Sequence, residues 1–370
     1  MPRAAVCTAL GQPLRVMDLD LAEPRAGEVR VRLGAAGICA SDASVRSGDL
    51  VSPLPVVLGH EGAGTVVSVG EGVTDPRPGD HVVVTGMPQC GSCYRCARGQ
   101  PSLCEVGDVV LRSGALRDGT HRFGAPDGTP VAQMVAAGTF AEEVVVSAIS
   151  TVRIPGEVAF APASLIGCGV LTGFGAAMNA AAIRPGYTVA VIGCGSVGLA
   201  ALQGARLAGA AQILAIDLVA GKLELAGTLG ATDVIPAGEA ADVVAEVRAR
   251  TGRRGVDVAI ECVGAQATVD QAIAMTAKGG EVVFVGAGGP GVRVDVPQFS
   301  GLVGRAKTFR GVLFGAADNR RDVPRIVRAY QDGDLELDRL VTHRFGLDEI
   351  NEGLASLGRG DVVSAVVELS

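Results

Sequence analysis

Val189-Ala190-Val191-Ile192-Gly193-Cys194-Gly195-Ser196-Val197-Gly198 decides the fold of one half of the chain. Four apolar residues read as a buried strand, and the glycines after them match G-x-G-x-x-G. The motif is weak by itself. Here it follows a strand and opens an Ala/Leu-rich helical stretch that runs to Ala208. The first glycine permits a tight turn, the second lets a pyrophosphate approach the backbone, and the third lets helix pack on strand. The pyrophosphate then rests on N–H groups at the positive end of the helix. Asp217 ends the next strand, Ile213-Leu214-Ala215-Ile216. An acid there accepts both ribose hydroxyls and repels a 2′-phosphate, which favours NAD over NADP. Lys222 is a candidate second contact to that ribose.

Outward from the turn, strands and helices alternate. Lys222 to Leu229 reads as helix, Val256-Asp257-Val258-Ala259-Ile260 and Val282-Val283-Phe284-Val285 as strands, with a helix at about 266–277 between them. Such alternation predicts an α/β, doubly wound parallel sheet. Residues 1 to about 155 read differently. Short Val-rich runs such as Val29-Arg30-Val31-Arg32-Leu33 and His81-Val82-Val83-Val84 are broken by Gly, Pro and Asp. They predict a β-rich, barrel-like domain. Residues 105–138 read as a long strand-poor loop, functional or part of an interface. The tail predicts helices at 322–332 and 347–357, then a strand from Val362 to Leu369.

Bulk composition sets limits. The 370 residues suit two domains. Tryptophan is absent and aromatics make up 3%, so the cores must be built from Val, Ala, Leu and Ile. A net charge of −7, with no basic stripe, argues against nucleic acid or an anionic membrane as partner. No apolar run reaches the roughly 18 residues that span a bilayer, and the N-terminus lacks a signal-peptide core. The expected compartment is the cytoplasm, where clustered thiols bind metal rather than crosslink.

Cys90-x2-Cys93-x2-Cys96-x7-Cys104 has the spacing of a closed structural zinc site, on a lobe at about 88–106. Three other segments carry ligand-type residues: Cys39 before Ser41 and Asp42, His60-Glu61 within Gly59–Gly64, and Cys168 within Ile166–Gly173. Spacing does not join these three.

A resemblance does. The segments, together with Asp118-Gly119-Thr120-His121-Arg122-Phe123, Gly138-Thr139-Phe140-Ala141, the glycine turn and Glu349-Ile350-Asn351-Glu352-Gly353, resemble the zinc-dependent medium-chain alcohol dehydrogenases over essentially the whole chain. The resemblance implies a GroES-like catalytic domain at 1–169 and 315–370 and a Rossmann NAD-binding domain at 170–314. It implies two zinc ions: one on the four clustered cysteines, and a catalytic one on Cys39, His60 and Cys168, with Glu61 able to exchange onto it. Asp42 would fix the His60 tautomer, and Ser41 would take the proton of the alcohol. Beside the glycine turn (Gly193, Cys194, Gly195, Ser196, Val197, Gly198), Asp217 and Lys222, it implies cofactor contacts from Thr172, Cys262, Val263, Val285, Gly286, Ala287 and Phe314. Phe140 is a candidate for the substrate pocket. The long 105–138 segment resembles the dimeric relatives, with a homodimer built on edge strands near 307–313.

The match breaks in three places. Ser44 stands where many relatives relay the proton through histidine, and Ala40 and Ser364 stand where relatives carry basic residues on the pyrophosphate. Weaker NAD binding, or a different cofactor orientation, is the expectation. The reading is therefore an NAD-dependent oxidoreductase converting a primary alcohol, with aromatic and branched ones among the candidates, to an aldehyde or ketone. Three alternatives stay open. One is a formaldehyde dehydrogenase acting on thiol adducts held by Arg112 and Arg117. The second is a nicotinoprotein that retains its NAD, and the third a non-catalytic nucleotide-binding protein.

Overall fold

The computed structural model describes residues 1–240 and 242–369. The chain divides into two compact units: Met1–Cys168 with Asp318–Ser370, and Gly169–Ala317.

The first unit is β-rich. Its larger sheet runs Thr151–Ile154, His81–Val84, Glu61–Val69, Glu28–Ile38, Ser364–Glu368 and Val341–Gly346, with Glu143–Ser147 paired on Glu28–Ile38. The period-2 pattern in Glu28–Ile38 sends Val29, Val31 and Leu33 inward, where they meet Val66, Val82, Val84, Val144 and Val146. A side chain on Gly64 would overlap the carbonyl of Arg32, so only glycine lets Glu61–Val69 lie this close to its neighbour. A second sheet orders Arg15–Asp18, Arg3–Cys7, Val56–Val57, Pro130–Gln133, Phe123–Gly124 and Asp20–Leu21.

The tail returns to this unit. Ser364–Glu368 pairs antiparallel with Glu28–Ile38, placing Ala365 opposite Ile38. The helix Asn319–Gln331 also belongs here: its Asn319 side chain donates to Thr85 Oγ1 at 2.9 Å and to the Met87 carbonyl at 2.8 Å.

The second unit is a parallel sheet in the order Asp233–Pro236, Gln212–Asp217, Thr188–Ile192, Val256–Glu261, Thr276–Phe284, Thr308–Gly311. This is the doubly wound order, with the glycine turn following its central first strand. The helices Ser196–Leu207, Ala220–Thr228, Val243–Arg250 and Gln266–Met275 connect the strands. A side chain on Gly198 would overlap the Gly193 carbonyl, which is the close packing the third glycine permits.

Two expectations change. Residues 105–138 are not a bare loop: Glu105–Ser113 is a helix, and Phe123–Gly124 and Pro130–Gln133 are strands. The Cys104 sulfur accepts from Gly107 N at the start of that helix, and Gly114, with φ of 60°, closes it in the left-handed conformation. Gly114 thus marks a helix end rather than a loop. The boundaries also differ from 169/170 and 314/315. Gly315 and Gly175 are in close backbone approach, so residues 315–317 stay with the helix Gly169–Gly175 in the second unit.

Candidate active site and metal centres

Cys39 ends the longest strand of the first unit, and the helix Ala40–Ser47 begins at the next residue. That corner places Cys39, Ser41 and Asp42 within one turn. Asp42 is wholly buried and organises the site through both oxygens. One accepts from Cys39 N at 2.8 Å, the other from Gly59 N at 3.1 Å, and His60 Nδ1 lies 3.2 Å from the latter. A ring that donates Nδ1–H to a carboxylate presents the lone pair of Nε2 on its far side, the usual arrangement behind a metal-bound histidine. The Ser41 hydroxyl donates to Cys39 Sγ at 3.2 Å and lies 3.3 Å from His60 Nε2. The Thr139 hydroxyl holds the Glu61 carbonyl at 3.0 Å.

Ligand atoms of Cys39, His60, Glu61 and Cys168 all lie within 4.8 Å of one another. The fold thus brings together the segments that spacing left apart. A hydrogen bond from Cys168 holds the Cys39 thiol well below its ordinary pKa, against burial and with help from His60 and Ser41. Burial favours a neutral His60, but Asp42 and Cys39 outweigh it and raise its pKa well above the ordinary value. Two thiols, an imidazole and a carboxylate around one centre form a donor set that fits zinc. Cys2His leaves a fourth position for substrate.

Cys90, Cys93, Cys96 and Cys104 also gather within 4.8 Å. Cys93 Sγ lies 3.9 Å from Cys104 Sγ, close to the edge of about 3.8 Å expected for a tetrahedron with Zn–S near 2.3 Å. Backbone N–H groups point at the sulfurs: Cys93 N to Cys90 at 3.3 Å, and Cys90 N and Gly107 N to Cys104 at 3.4 Å each. Burial works against ionisation of Cys90, but the N–H groups of Ser92 and Cys93 outweigh it and bring the thiol to about 6. Burial and the neighbouring thiols push Cys96 up to about 12. Four sulfurs this close can all ionise only around a cation, so the donor set fits a closed zinc site. Replacing Cys93 by Ser is expected to lower thermal stability and cut zinc from two ions per chain to one. Unchanged stoichiometry by metal analysis would remove the assignment.

The remaining three cysteines are of another kind. Burial raises the thiol pKa of Cys7 and Cys262, and pushes Cys194 up to about 12. Cys7 and Cys194 are buried and Cys262 is half-buried; protonated, all three pack rather than ligate.

In the second unit, Gly193 has φ of 90°, and the space about Gly195 is open. The Ser196 hydroxyl at the start of the helix is buried without a partner. An open backbone beside an unpaired hydroxyl and a helix N-terminus fits a pyrophosphate. Asp217 accepts from Cys194 N at 2.6 Å and from Val219 N at 2.9 Å, which leaves lone pairs for ribose hydroxyls. Cys262–Gly264 runs beside Gly193, and Gly286 abuts Gly264, so Cys262, Val263, Val285, Gly286 and Ala287 share the end of the sheet that carries the turn. Lys222 opens the helix after Asp217. Thr172 and Phe314 lie elsewhere in the unit, where Gly315 packs on the Thr172 carbonyl.

Other candidates fall outside these clusters. Phe140 is wholly buried among Leu58, Met134 and Ala36, so it offers no free face to a pocket. The Ser44 hydroxyl donates back to the Ala40 carbonyl at 3.2 Å. Ala40 is exposed, and Ser364 is buried with its hydroxyl unpartnered. Sequence reading missed the role of Arg122, whose side chain is wholly buried. Its guanidinium donates to Glu28 Oε2 at 2.8 Å and to Asp118 Oδ2 at 2.7 Å. The Asp118–Phe123 motif contained that signal, but only as part of a likeness.

Comparisons agree with the geometry. Residues 25–156 match the alcohol dehydrogenase GroES-like domain family and residues 196–331 the zinc-binding dehydrogenase family. The chain is 41% identical over 369 residues to an NDMA-dependent alcohol dehydrogenase of Amycolatopsis methanolica, covering 99% of this chain and 98% of the relative. It is 39% identical to an S-(hydroxymethyl)glutathione dehydrogenase of Escherichia coli O1:K1 / APEC, covering 99% of each. The crystal structure of benzyl alcohol dehydrogenase from Acinetobacter calcoaceticus superposes with a TM-score of 0.93 at 32% identity, covering 100% of this chain and 99% of that one. With identity at this level along almost its full length, the chain belongs to the zinc-dependent medium-chain alcohol dehydrogenase family.

Proposed function

We propose that this protein is a zinc-dependent alcohol dehydrogenase that passes hydride between an alcohol and NAD, giving an aldehyde or ketone. The observation that carries the reading is the Ser41 hydroxyl, 3.2 Å from Cys39 Sγ and 3.3 Å from His60 Nε2. It puts a proton acceptor at the rim of a Cys2His cup. When bound, zinc supplies a Lewis acid that lowers the pKa of an alcohol and polarises a carbonyl. When bound, NAD supplies the hydride acceptor.

The chain's own residues do the rest. Asp42 holds the His60 ring in one tautomer and, through Cys39 N, fixes the first thiolate. Ser41 accepts the alcohol proton. Ser44 has no pKa near neutrality, so the proton leaves Ser41 through water rather than through a side-chain base.

Ser41 is small and leaves room for a branched or aromatic alcohol, and the benzyl alcohol dehydrogenase relative supports that class. The thiol-adduct reading has the S-(hydroxymethyl)glutathione dehydrogenase relative in its favour. Against it, Arg112 pairs with Asp108 on its own exposed helix rather than joining Arg117 in a basic pocket. A nicotinoprotein draws support from the relative named as NDMA-dependent. Protein purified with bound nicotinamide would favour it over exchangeable NAD.

The same reading makes the protein a homodimer. Thr308–Gly311 is an edge strand, and Leu313 just after it is about half exposed. Among the described residues no single helix is long and apolar enough to cross a membrane. All nine cysteines are free thiols, which supports a reducing cytoplasm.

The test is an NAD-reduction screen over primary, secondary and benzylic alcohols, with zinc content and solution mass measured on the same sample. Turnover of benzylic and primary alcohols with two zinc ions per chain is expected. No reduction of NAD by any class in fully zinc-loaded protein would overturn the reading.

A further inference from the structure

The parallel-sheet unit has a second polar feature, at the edge opposite its glycine turn. The turn follows the C-terminal end of Thr188–Ile192, where doubly wound folds take their dinucleotide. At the other end, where Thr276 begins its strand opposite Val256, lies a hollow of about 760 Å³. It runs on into a second hollow that shares Arg254, Lys278 and Arg305 with it. Arg248, Arg253, Arg254, Lys278, Arg305 and Lys307 all line the first. This concentration of cations occurs in a chain whose net charge is −7.

Two of the six have structural work. The Lys307 ammonium donates to the Ile273 carbonyl at 2.6 Å and Arg248 to the Ala274 carbonyl at 3.0 Å, so both cap the helix Gln266–Met275. The other four, Arg253, Arg254, Lys278 and Arg305, have no ion pair or side-chain hydrogen bond among the described residues. Two carboxylates, Asp242 and Asp257, line the two hollows against six cations, so the surplus charge is positive; Asp242 accepts from Ala245 N at 3.0 Å and Asp257 from Thr188 N at 2.8 Å. The cations also repel one another: burial, Arg305 and Arg248 together lower the Lys307 pKa.

Arg253 adds an independent sign. Its φ is +66°, the left-handed region where glycine or asparagine sits at lower cost. Gly252 and Gly255 beside it take positive φ with no side chain to strain. A guanidinium carried by a strained residue, one of four cations without a partner around the same hollow, points to a ligand.

We propose that this hollow binds a compact small molecule bearing several phosphate groups, at a site separate from the cofactor turn. Its volume lies in the range of small-molecule sites, which run from about 300 to 1,000 Å³. The cations converge on one cavity rather than forming a stripe, which suits a compact polyanion better than an extended strand of nucleic acid. The inference is independent of the metal cup.

The probe is inorganic tripolyphosphate, titrated calorimetrically into the full-length, zinc-loaded protein at low salt, with and without saturating NAD. Saturable binding that persists in NAD and weakens with added salt is expected. The variant Arg253→Gly/Arg305→Ser should bind about a hundredfold more weakly, about tenfold per lost guanidinium. Its melting temperature should not fall, because glycine relieves the strain at 253. Four results would overturn the proposal: no saturable binding, equal affinity in the variant, loss of binding on adding NAD, or tighter binding of a short oligonucleotide than of tripolyphosphate. A change in oligomeric state with unchanged anion affinity would make the hollow a subunit contact and equally remove it.

Discussion

Replacing Ser41 by Ala is expected to lower kcat by roughly 10²- to 10⁴-fold, the usual contribution of a positioned proton-transfer group. That corresponds to about 3–5 kcal/mol of barrier. Zinc content should stay at two per chain, because Ser41 touches Cys39 and His60 without being a ligand. Ser41→Thr keeps a hydroxyl at the same place and should recover most of the rate. Steady-state kinetics with a benzylic alcohol, paired with metal analysis, distinguishes the cases. An alanine variant within a few-fold of the parent would show that the proton leaves by another route. A variant that lost its zinc would show Ser41 to be structural.

The largest loss of stability is expected from Arg122→Met. Arg122 is buried, and its guanidinium bridges Glu28, itself 8% exposed at the side chain, and Asp118. Removing the cation leaves Glu28 as an uncompensated buried charge, a change that typically costs about 3–5 kcal/mol. For a unit of this size that lowers Tm by roughly 6–20 °C. Activity at room temperature should persist, since no atom of the cup is touched. The companion change Glu28→Gln should restore part of the loss, because both charges are then gone. Equal melting temperatures for Arg122→Met and the parent would refute the account.

The pH dependence has a definite sign. Burial works against ionisation of Asp118, but Arg122, Thr120 and Arg25 outweigh it and hold the carboxyl below the usual carboxylate range. A depressed carboxylate contributes stability above its unfolded pKa near 4 and loses it as pH falls through the folded value. The gap between parent and Arg122→Met should therefore be full at neutral pH and narrow under acid.

How much of this was legible depended on how local the chemistry is. The glycine turn and the four-cysteine loop lie within short stretches, so their spacing alone carries geometry. The catalytic cup does not, because Cys39, His60 and Cys168 come from three separated segments. Only a family likeness could join them before the fold brought their ligand atoms within 4.8 Å. The helix Glu105–Ser113 went unread because its closing glycine looks, in sequence, like loop punctuation. The basic hollow was illegible for a similar reason: its cations come from three separated segments, 248–254, 278 and 305–307, which only the fold brings together. Arg122 was visible in its motif, but nothing in the motif says that its partner is Glu28.

One feature of the sheet bears on how the protein is made. The strand that leads into Cys39 has Ser364–Glu368 as one neighbour, so the two sides of that pairing are separated in the chain by the whole of the second unit. The intervening residues 169–317 are continuous and can close their own sheet during synthesis. The first unit cannot complete its larger sheet until the segment after residue 317 has been made. A chain released before Ser364 would carry a parallel-sheet unit able to close on itself beside a first unit whose longest strand lacks one of its neighbours.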